Sequence, residues 1–229
     1  MDGTMMVALA VGVFVGSHLA MSHPLRAPLV RLLGNGGFTG LYAVVSLAAL
    51  WWISKTYQDA PVTAPLWAVS DGLWIAATFT MLVASVLLVG SLIGNPAMPG
   101  MVKAAPAEAR GVYAVTRHPM LWSFALWGLV HILVYPVAAN LIVAGGMAGF
   151  ALIGAAALDA KKSALVPELW GPWQRMTSYL PFQAIVEGRA RLGGFRPHDL
   201  AGGVVVWLAA TWAHIPAGGV AAGIWRWIG

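Results

Sequence analysis

The chain has 229 residues, of which 59% are hydrophobic and only 9% are charged, with a net charge of +5. Soluble domains carry about 25% charged residues, so this composition excludes a soluble globule with a well-solvated surface. The absence of cysteine excludes disulfides, zinc ribbons, iron–sulfur clusters and thiolate-ligated haem. We therefore predict an all-α, polytopic integral membrane protein that contacts the lipid bilayer.

Six hydrophobic blocks predict about six transmembrane helices, since one helix needs about 20 apolar residues to cross a bilayer. The blocks are residues 4–21, 37–54, 72–93, 119–137, 138–158 and 200–217. The first residues lack the positive charge of a signal peptide, so we expect the first block to be a retained helix. Breaks are predicted at Gly34-Asn35-Gly36-Gly37 and Pro99-Gly100, and Tyr135-Pro136 predicts a tight hairpin.

The basic residues predict the orientation of these helices, because cytoplasmic loops are enriched in Lys and Arg. An N-terminus outside the cytoplasm makes residues 22–36, 94–118 and 159–199 cytoplasmic. These segments hold all of the 13 basic residues except two. The cytoplasmic ones are Arg26, Arg31, Lys103, Arg110, Arg117, Lys161, Lys162, Arg175, Arg189, Arg191 and Arg196, and the outer ones are Lys55 and Arg226. The positive charge is thus topological, and we predict no nucleic-acid binding.

The segment 161–194 mixes four aromatic residues with Lys and Arg, a composition typical of chains that lie along lipid headgroups. We predict a cytoplasmic interfacial segment there. No internal repeat or long linker divides the chain, so we predict a single transmembrane domain over residues 1–229. We expect a multi-pass protein of the bacterial inner (cytoplasmic) membrane.

Histidine is the ionisable residue that enters the predicted spans, and such residues indicate function in membrane proteins. His18, His131 and His214 lie inside spans, His23 and His118 at the cytoplasmic interface, and His198 at the start of the last span. A hydrogen bond between helices is one interpretation. Proton transport would call for intramembrane carboxylates and zinc for three or four ligands, whereas haem iron needs only one or two axial imidazoles. Haem is therefore the cofactor that this pattern favours.

Three groups of motifs give this chain a resemblance to a known family. They are GSHLAMSHPLR at 16–26 with GFTGLYAVVSL at 37–47, then TRHP at 116–119 with LWGLVH at 126–131, then LWGPW at 169–173 with TSYLPFQAIVEGR at 177–189. Together they resemble the NnrU family, which includes the haem-dependent 15-cis-zeta-carotene isomerases. The similarity runs from about His18 to His214.

The resemblance implies a membrane protein that carries haem b between two axial histidines. By position these correspond to His18 and His131, with His23 as a rival for His18. The isomerases have a cysteine where this chain has Gly128, so a thiolate ligand is ruled out here. The resemblance implies isomerase-like or redox chemistry on a hydrophobic, carotenoid-like substrate, and also a role around nitrogen oxides.

Predicted depth in the membrane leaves other ligand pairs open. His18 and His131 differ in height by roughly 12 Å at the rise of an α-helix. His131 matches His214 near the outer side, while His18 or His23 matches His118 near the inner side. The inner group also has Arg26, Arg31 and Arg117 beside it, and guanidinium groups suit haem propionates.

Two other functions remain open from the sequence. Arg117-His118-Pro119 and the segment from Trp170 to Pro181 resemble the part of isoprenylcysteine methyltransferases that binds S-adenosylmethionine, although Glu168 stands alone where those enzymes pair two glutamates. A non-catalytic membrane accessory protein, in which the histidines only link helices, is the other alternative.

Overall fold

A computed structural model describes residues 2–98, 104 and 106–228 of the chain. The predicted Pro99-Gly100 break and the predicted cytoplasmic Lys103 lie outside these residues. The described residues are largely helical and include no strand, so the predicted all-α class is confirmed. The helices are α1 (Gly3–Ser22), α2 (Arg26–Gln58), α3 (Asp71–Gly90), α4 (Val112–Val115), α5 (Pro119–Val134), α6 (Ala138–Leu165), α7 (Pro167–Met176), α8 (Gln183–Val186), α9 (Pro197–Gly218) and α10 (Trp225–Ile228).

Among the described residues, five helices, α1, α2, α3, α6 and α9, are long and apolar enough to cross a membrane. The remaining predicted span corresponds to α5, a shorter apolar helix of 16 residues. At 1.5 Å per residue it extends roughly 24 Å, somewhat less than the ~30 Å hydrocarbon core of a bilayer. Large apolar side chains such as Val44, Leu47 and Phe79 are exposed on these helices, as lipid contact requires. The protein is thus a polytopic helical membrane protein.

Two helices extend beyond their predicted limits. The predicted break at 34–37 is a kink inside α2, where Gly34 has φ 70° and ψ 173° while the chain on both sides stays helical. Glycine takes this left-handed conformation without a Cβ clash, so the helix bends at Gly34 and continues. α6 runs to Leu165 instead of ending near 158, and Asp159 therefore belongs to its last two turns.

The described residues form two compact units, of which the first comprises the chain up to Val69 together with 131–150. Its core is built on α1, where the buried Val7, Ala10, Val11 and Phe14 recur at the spacing of one helix face. α6 approaches this face closely, since a Cβ on Gly146 would lie only 2.3 Å from Val11. Small residues allow such close helix contacts in membranes.

The second unit comprises residues 70–130 and the chain from Ala151 onward. α3 packs on α9 through Gly203, where an added Cβ would lie 2.8 Å from the Val86 backbone. A separate core surrounds Trp170 and Trp173 of α7, both almost fully buried. α7 and α8 lie in the segment predicted to be interfacial, and its place in the membrane stays a prediction. The single-domain interpretation also stays a prediction.

Candidate functional site

His18 is a buried imidazole in the last turns of α1, in the first unit. Its Nδ1 lies 2.7 Å from the Phe14 carbonyl oxygen, one turn earlier on the same helix. A carbonyl only accepts hydrogen bonds, so Nδ1 carries the proton and donates it. In the neutral ring the lone pair is then on Nε2, the nitrogen that points away from α1.

The Nε2 atom of His18 and a backbone carbonyl oxygen both contact the same serine hydroxyl. It lies 2.9 Å from the Ser46 hydroxyl on α2, and the same hydroxyl lies 2.7 Å from the Tyr42 carbonyl oxygen. A serine hydroxyl has one proton to donate. Whenever that proton bonds to Tyr42, the lone pair of His18 faces no donor in this group. The lone pair of this nitrogen is the one that a metal ion would use, in place of the present contact with Ser46.

Aromatic rings enclose His18 on several sides. The Phe14 ring centroid lies 4.1 Å from that of the imidazole, Tyr42 lies at 5.1 Å and Phe150 at 5.3 Å. These rings contribute to the burial of the imidazole, since His18 is only 7% exposed. An anchored imidazole in an aromatic, water-poor setting is what an axial haem ligand needs, because the second nitrogen fixes the orientation of the ring.

His131, the other predicted axial ligand, lies in the last turn of α5 and also belongs to the first unit. Its carbonyl oxygen accepts a 2.8 Å hydrogen bond from the Asn140 side chain of α6. His18 contacts α6 at Phe150, ten residues further along the helix, which corresponds to about 15 Å. The structure thus places the two histidines in one unit but at different heights.

The remaining first-unit predictions concern His23 and Arg26. His23 is exposed and directly follows α1. Arg26 begins α2 at the same end of α1 as His18, and its guanidinium carbon lies 5.3 Å from the centre of the Phe38 ring. This cation–π contact holds the arginine side chain near the end of α1.

The second unit contains a buried polar cluster around Asp159 of α6. Arg117 donates to both carboxylate oxygens, with Nε 2.9 Å from Oδ1 and Nη2 2.8 Å from Oδ2. His118 Nε2 lies 2.9 Å from Oδ1, and Trp170 Nε1 donates to the same oxygen over 3.2 Å. Two-pronged guanidinium–carboxylate pairs are the strong form of this interaction. Asp159 therefore neutralises Arg117 inside the protein.

The same cluster joins two motifs that are far apart in the chain. Arg117 Nη1 donates to the Thr177 carbonyl and hydroxyl oxygens, and the Thr116 hydroxyl donates to the Tyr179 carbonyl. Burial, and then the negative charge of Asp159, raise the pKa of the Tyr179 phenol. The Arg117-His118-Pro119 motif and the 177–189 motif therefore hold each other in place.

These contacts occupy the guanidinium nitrogens of Arg117 and the Nε2 atom of His118. The guanidinium donates to the chain through each of its nitrogens, and the Nε2 atom of His118 faces Asp159. His214, also in the second unit, is exposed on α9 and its Nδ1 lies 2.8 Å from the Ala210 carbonyl oxygen. Of the two buried imidazoles, His18 contacts neutral groups through both ring nitrogens, whereas His118 faces a carboxylate.

Sequence reasoning missed two carboxylates. Asp159 ends a run of apolar residues in a segment predicted to be cytoplasmic, and the signal that could have identified its role is the counter-charge that a buried Arg117 needs. Asp199, almost fully buried at the start of α9, accepts from the Arg196 guanidinium at 3.0 Å and lies 2.9 Å from His198 Nε2. Arg196 also donates to the Gly90 carbonyl oxygen, so this group connects α9 to the end of α3.

The model of the family described as "NnrU protein" matches residues 5–222, nearly the whole chain. No curated protein and no solved structure matches.

Proposed function

Since this chain belongs to the NnrU family, we propose that it binds haem b within the bilayer, with His18 as an axial ligand. We also propose that the protein resides in a bacterial inner membrane and carries out isomerase-like or redox chemistry on a hydrophobic substrate. The observation that supports this proposal is the geometry of His18. Its Nδ1 donates to the Phe14 carbonyl, and its Nε2 lone pair competes with the Tyr42 carbonyl for the Ser46 hydroxyl proton.

The residues around His18 fit the demands of a haem. Iron–porphyrin cofactors supply one-electron chemistry, and the protein supplies ligation, orientation and exclusion of water. Here His18 would hold the iron, and the rings of Phe14, Tyr42 and Phe150 would form apolar walls. Arg26, at the same end of α1, would pair with a propionate.

A hydrophobic substrate follows from the surroundings of this site. α1 and α2 expose apolar side chains such as Leu9, Val13 and Leu47, so their outer surfaces suit lipid. A substrate dissolved in the bilayer can reach an intramembrane site without crossing water. A water-soluble substrate would first have to be desolvated, at a cost that grows with every polar group.

The methyltransferase alternative draws no support from the second unit. The two motifs that resemble those enzymes do meet, but the donors of Arg117 bond to Asp159 and Thr177. Their arrangement stabilises the fold, which is a sufficient reason for the motif. The accessory-protein alternative is separated from haem binding by the experiment below.

Purified protein from a haem-sufficient host is expected to be red, with a Soret band and about one haem per chain. The pyridine haemochrome assay gives the haem type and the stoichiometry. Colourless protein after expression with added haem and reconstitution with haemin would overturn the proposal, and a helix-linking role for the histidines would then be favoured.

A His131→Ala variant is expected to retain its haem. The α6 residues that contact the His131 carbonyl and the His18 ring lie about 15 Å apart along that helix, so we propose that His18 holds the iron without His131. The haem content of the variant, relative to wild type, is the measurement. Loss of haem would instead support the His18–His131 pair that the sequence predicts, and would require the two helices to close this distance when haem binds.

A further inference from the structure

A second candidate site lies in the second unit, away from the Asp159 cluster. An open cleft of about 460 Å³ is lined by residues 107–110 and 188–194 together with Met176. Ligand sites commonly have volumes of about 300–1,000 Å³. Both stretches belong to segments that the basic-residue pattern predicts to be cytoplasmic, so the cleft is expected near the inner headgroup layer.

Three arginines and one glutamate give the lining of this cleft a positive charge. Arg110 pairs with Glu108, but both side chains are more than half exposed, and such pairs are weak and easily exchanged. Arg189 is committed, since it pairs with Glu187 and donates to the carbonyl oxygens of two residues of the chain. Arg191 has no ion-pair partner within the part of the chain that the structure describes. Its charge is available to an anion.

The backbone beside Arg191 offers further hydrogen-bond donors. Among the described residues, no acceptor is found for the N–H groups of residues 191–194. Successive N–H groups form anion-binding concavities where the backbone alternates between right- and left-handed conformations, and Gly194 is left-handed. Gly194 has φ 70° and an added Cβ would lie 3.1 Å from the Arg110 side chain. A glycine at this position therefore lets the aliphatic stem of Arg110 lie against the loop.

Exposed apolar side chains surround these donors along the chain. Val186 is 85% exposed, Leu192 is 59% exposed and Phe182 is 48% exposed. Water is an unfavourable environment for large exposed apolar side chains, and such side chains suit contact with a membrane or a partner. Apolar side chains next to basic ones are the pattern of segments that enter the headgroup and acyl boundary.

We propose that this cleft binds the phosphate of an anionic membrane lipid. Arg191 and Arg110 contact the phosphate, the N–H groups of 191–194 donate to its oxygens, and Val186 and Leu192 contact the acyl chains. Basic pockets on the cytoplasmic side recognise anionic headgroups in this way. The exposed Leu192 in the lining, with the exposed Val186 nearby in the sequence, favours a lipid over a free phosphate, which would use only the polar groups of the site. The proposal does not depend on haem binding.

Native mass spectrometry of the detergent-solubilised full chain, titrated with phosphatidylglycerol, tests this site. Arg191→Gln is expected to weaken binding about fivefold, the effect of one interfacial basic residue. Arg110→Gln with Arg191→Gln should weaken it on the order of 20-fold. Arg175→Gln removes an exposed arginine of the same unit that does not line the cleft, and its affinity should remain within about twofold of wild type.

The remaining arms separate the sources of the phosphate and check the fold. Phosphatidylcholine should bind more weakly than phosphatidylglycerol, and Val186→Ser should weaken lipid binding while far-UV circular dichroism stays unchanged. Equal binding of phosphatidylglycerol by wild type and the double variant would overturn the site. Displacement of the lipid by millimolar inorganic phosphate at matched ionic strength would overturn the lipid assignment in favour of a soluble phosphate.

Discussion

A His18→Ala variant is expected to lose its bound haem while keeping its helical fold. Loss of an outer partner of a metal ligand already costs about 10–100-fold in affinity, and loss of the ligand itself should cost more. The Soret absorbance per chain should therefore fall to near background at micromolar haem. Visible spectra of purified protein, with far-UV circular dichroism as a fold control, measure the effect.

Two variants separate the ligand role of His18 from a simple link between helices. His23→Ala removes the exposed rival histidine and should leave the Soret band unchanged. Ser46→Ala removes the hydroxyl 2.9 Å from Nε2 but leaves the nitrogen itself, so haem binding should survive. If His18 only bonds to Ser46 to join α1 and α2, the His18→Ala and Ser46→Ala variants should instead lose similar stability, and neither should alter a spectrum.

An unchanged Soret band in His18→Ala would contradict the assignment of this residue. Loss of the band in His23→Ala alone would transfer the ligand role to His23. The exposed position of His23 makes that result unexpected, because an axial ligand must reach into a water-poor site.

An Asp159→Asn variant is expected to be strongly destabilised. The Arg117 side chain is 8% exposed and its counter-charge is Asp159. Removing one partner of a buried pair leaves an uncompensated charge and costs about 3–5 kcal/mol of unfolding free energy. Asparagine has nearly the same shape, so the loss reports on charge rather than packing. For a chain of this size the Tm should fall by roughly 10 °C, measured by thermal unfolding in detergent.

The matched control is Asp71→Asn. Asp71 also pairs with an arginine, Arg226, at 3.3 Å, but its side chain is 73% exposed. Exposed pairs contribute about 0–1 kcal/mol, so the Tm should change by only a few degrees. Equal effects of the two substitutions would show that Asp159 is not the essential counter-charge of Arg117. Haem content in Asp159→Asn should follow the amount of folded protein.

The membrane helices could be predicted closely because the bilayer acts on sequence directly. Helices α1, α3 and α9 begin or end within three residues of the predicted blocks, and the predicted hairpin is formed, with α5 ending at Val134 and α6 starting at Ala138. Polar backbone groups must form hydrogen bonds within the chain in hydrocarbon, so a long apolar block by itself predicts a helix. α2 was harder, because Gly34 could have ended the helix as readily as bent it.

The polar contacts of the candidate sites could not be predicted in the same way. Histidines were recognised as candidates by residue type, yet only the fold shows that His18 is anchored through Nδ1 while the Nε2 of His118 faces a carboxylate. Asp159 and Arg117 are 42 residues apart in the chain, and no local pattern links them. Resemblance to the NnrU family identified positions, but not which side chain bonds to which.

The sequence by itself therefore determined that the chain is an all-helical membrane protein of the NnrU family, with histidines inside its spans. Its hydrophobic blocks and its ordered motifs can be recognised from the linear order of the residues. The tertiary structure alone decided that Arg117 is neutralised by Asp159, and that His18 and His131 contact α6 at different heights. Such contacts depend on the rotation and the axial position of each helix against its neighbours. The packing of side chains that are distant in the sequence determines these two quantities.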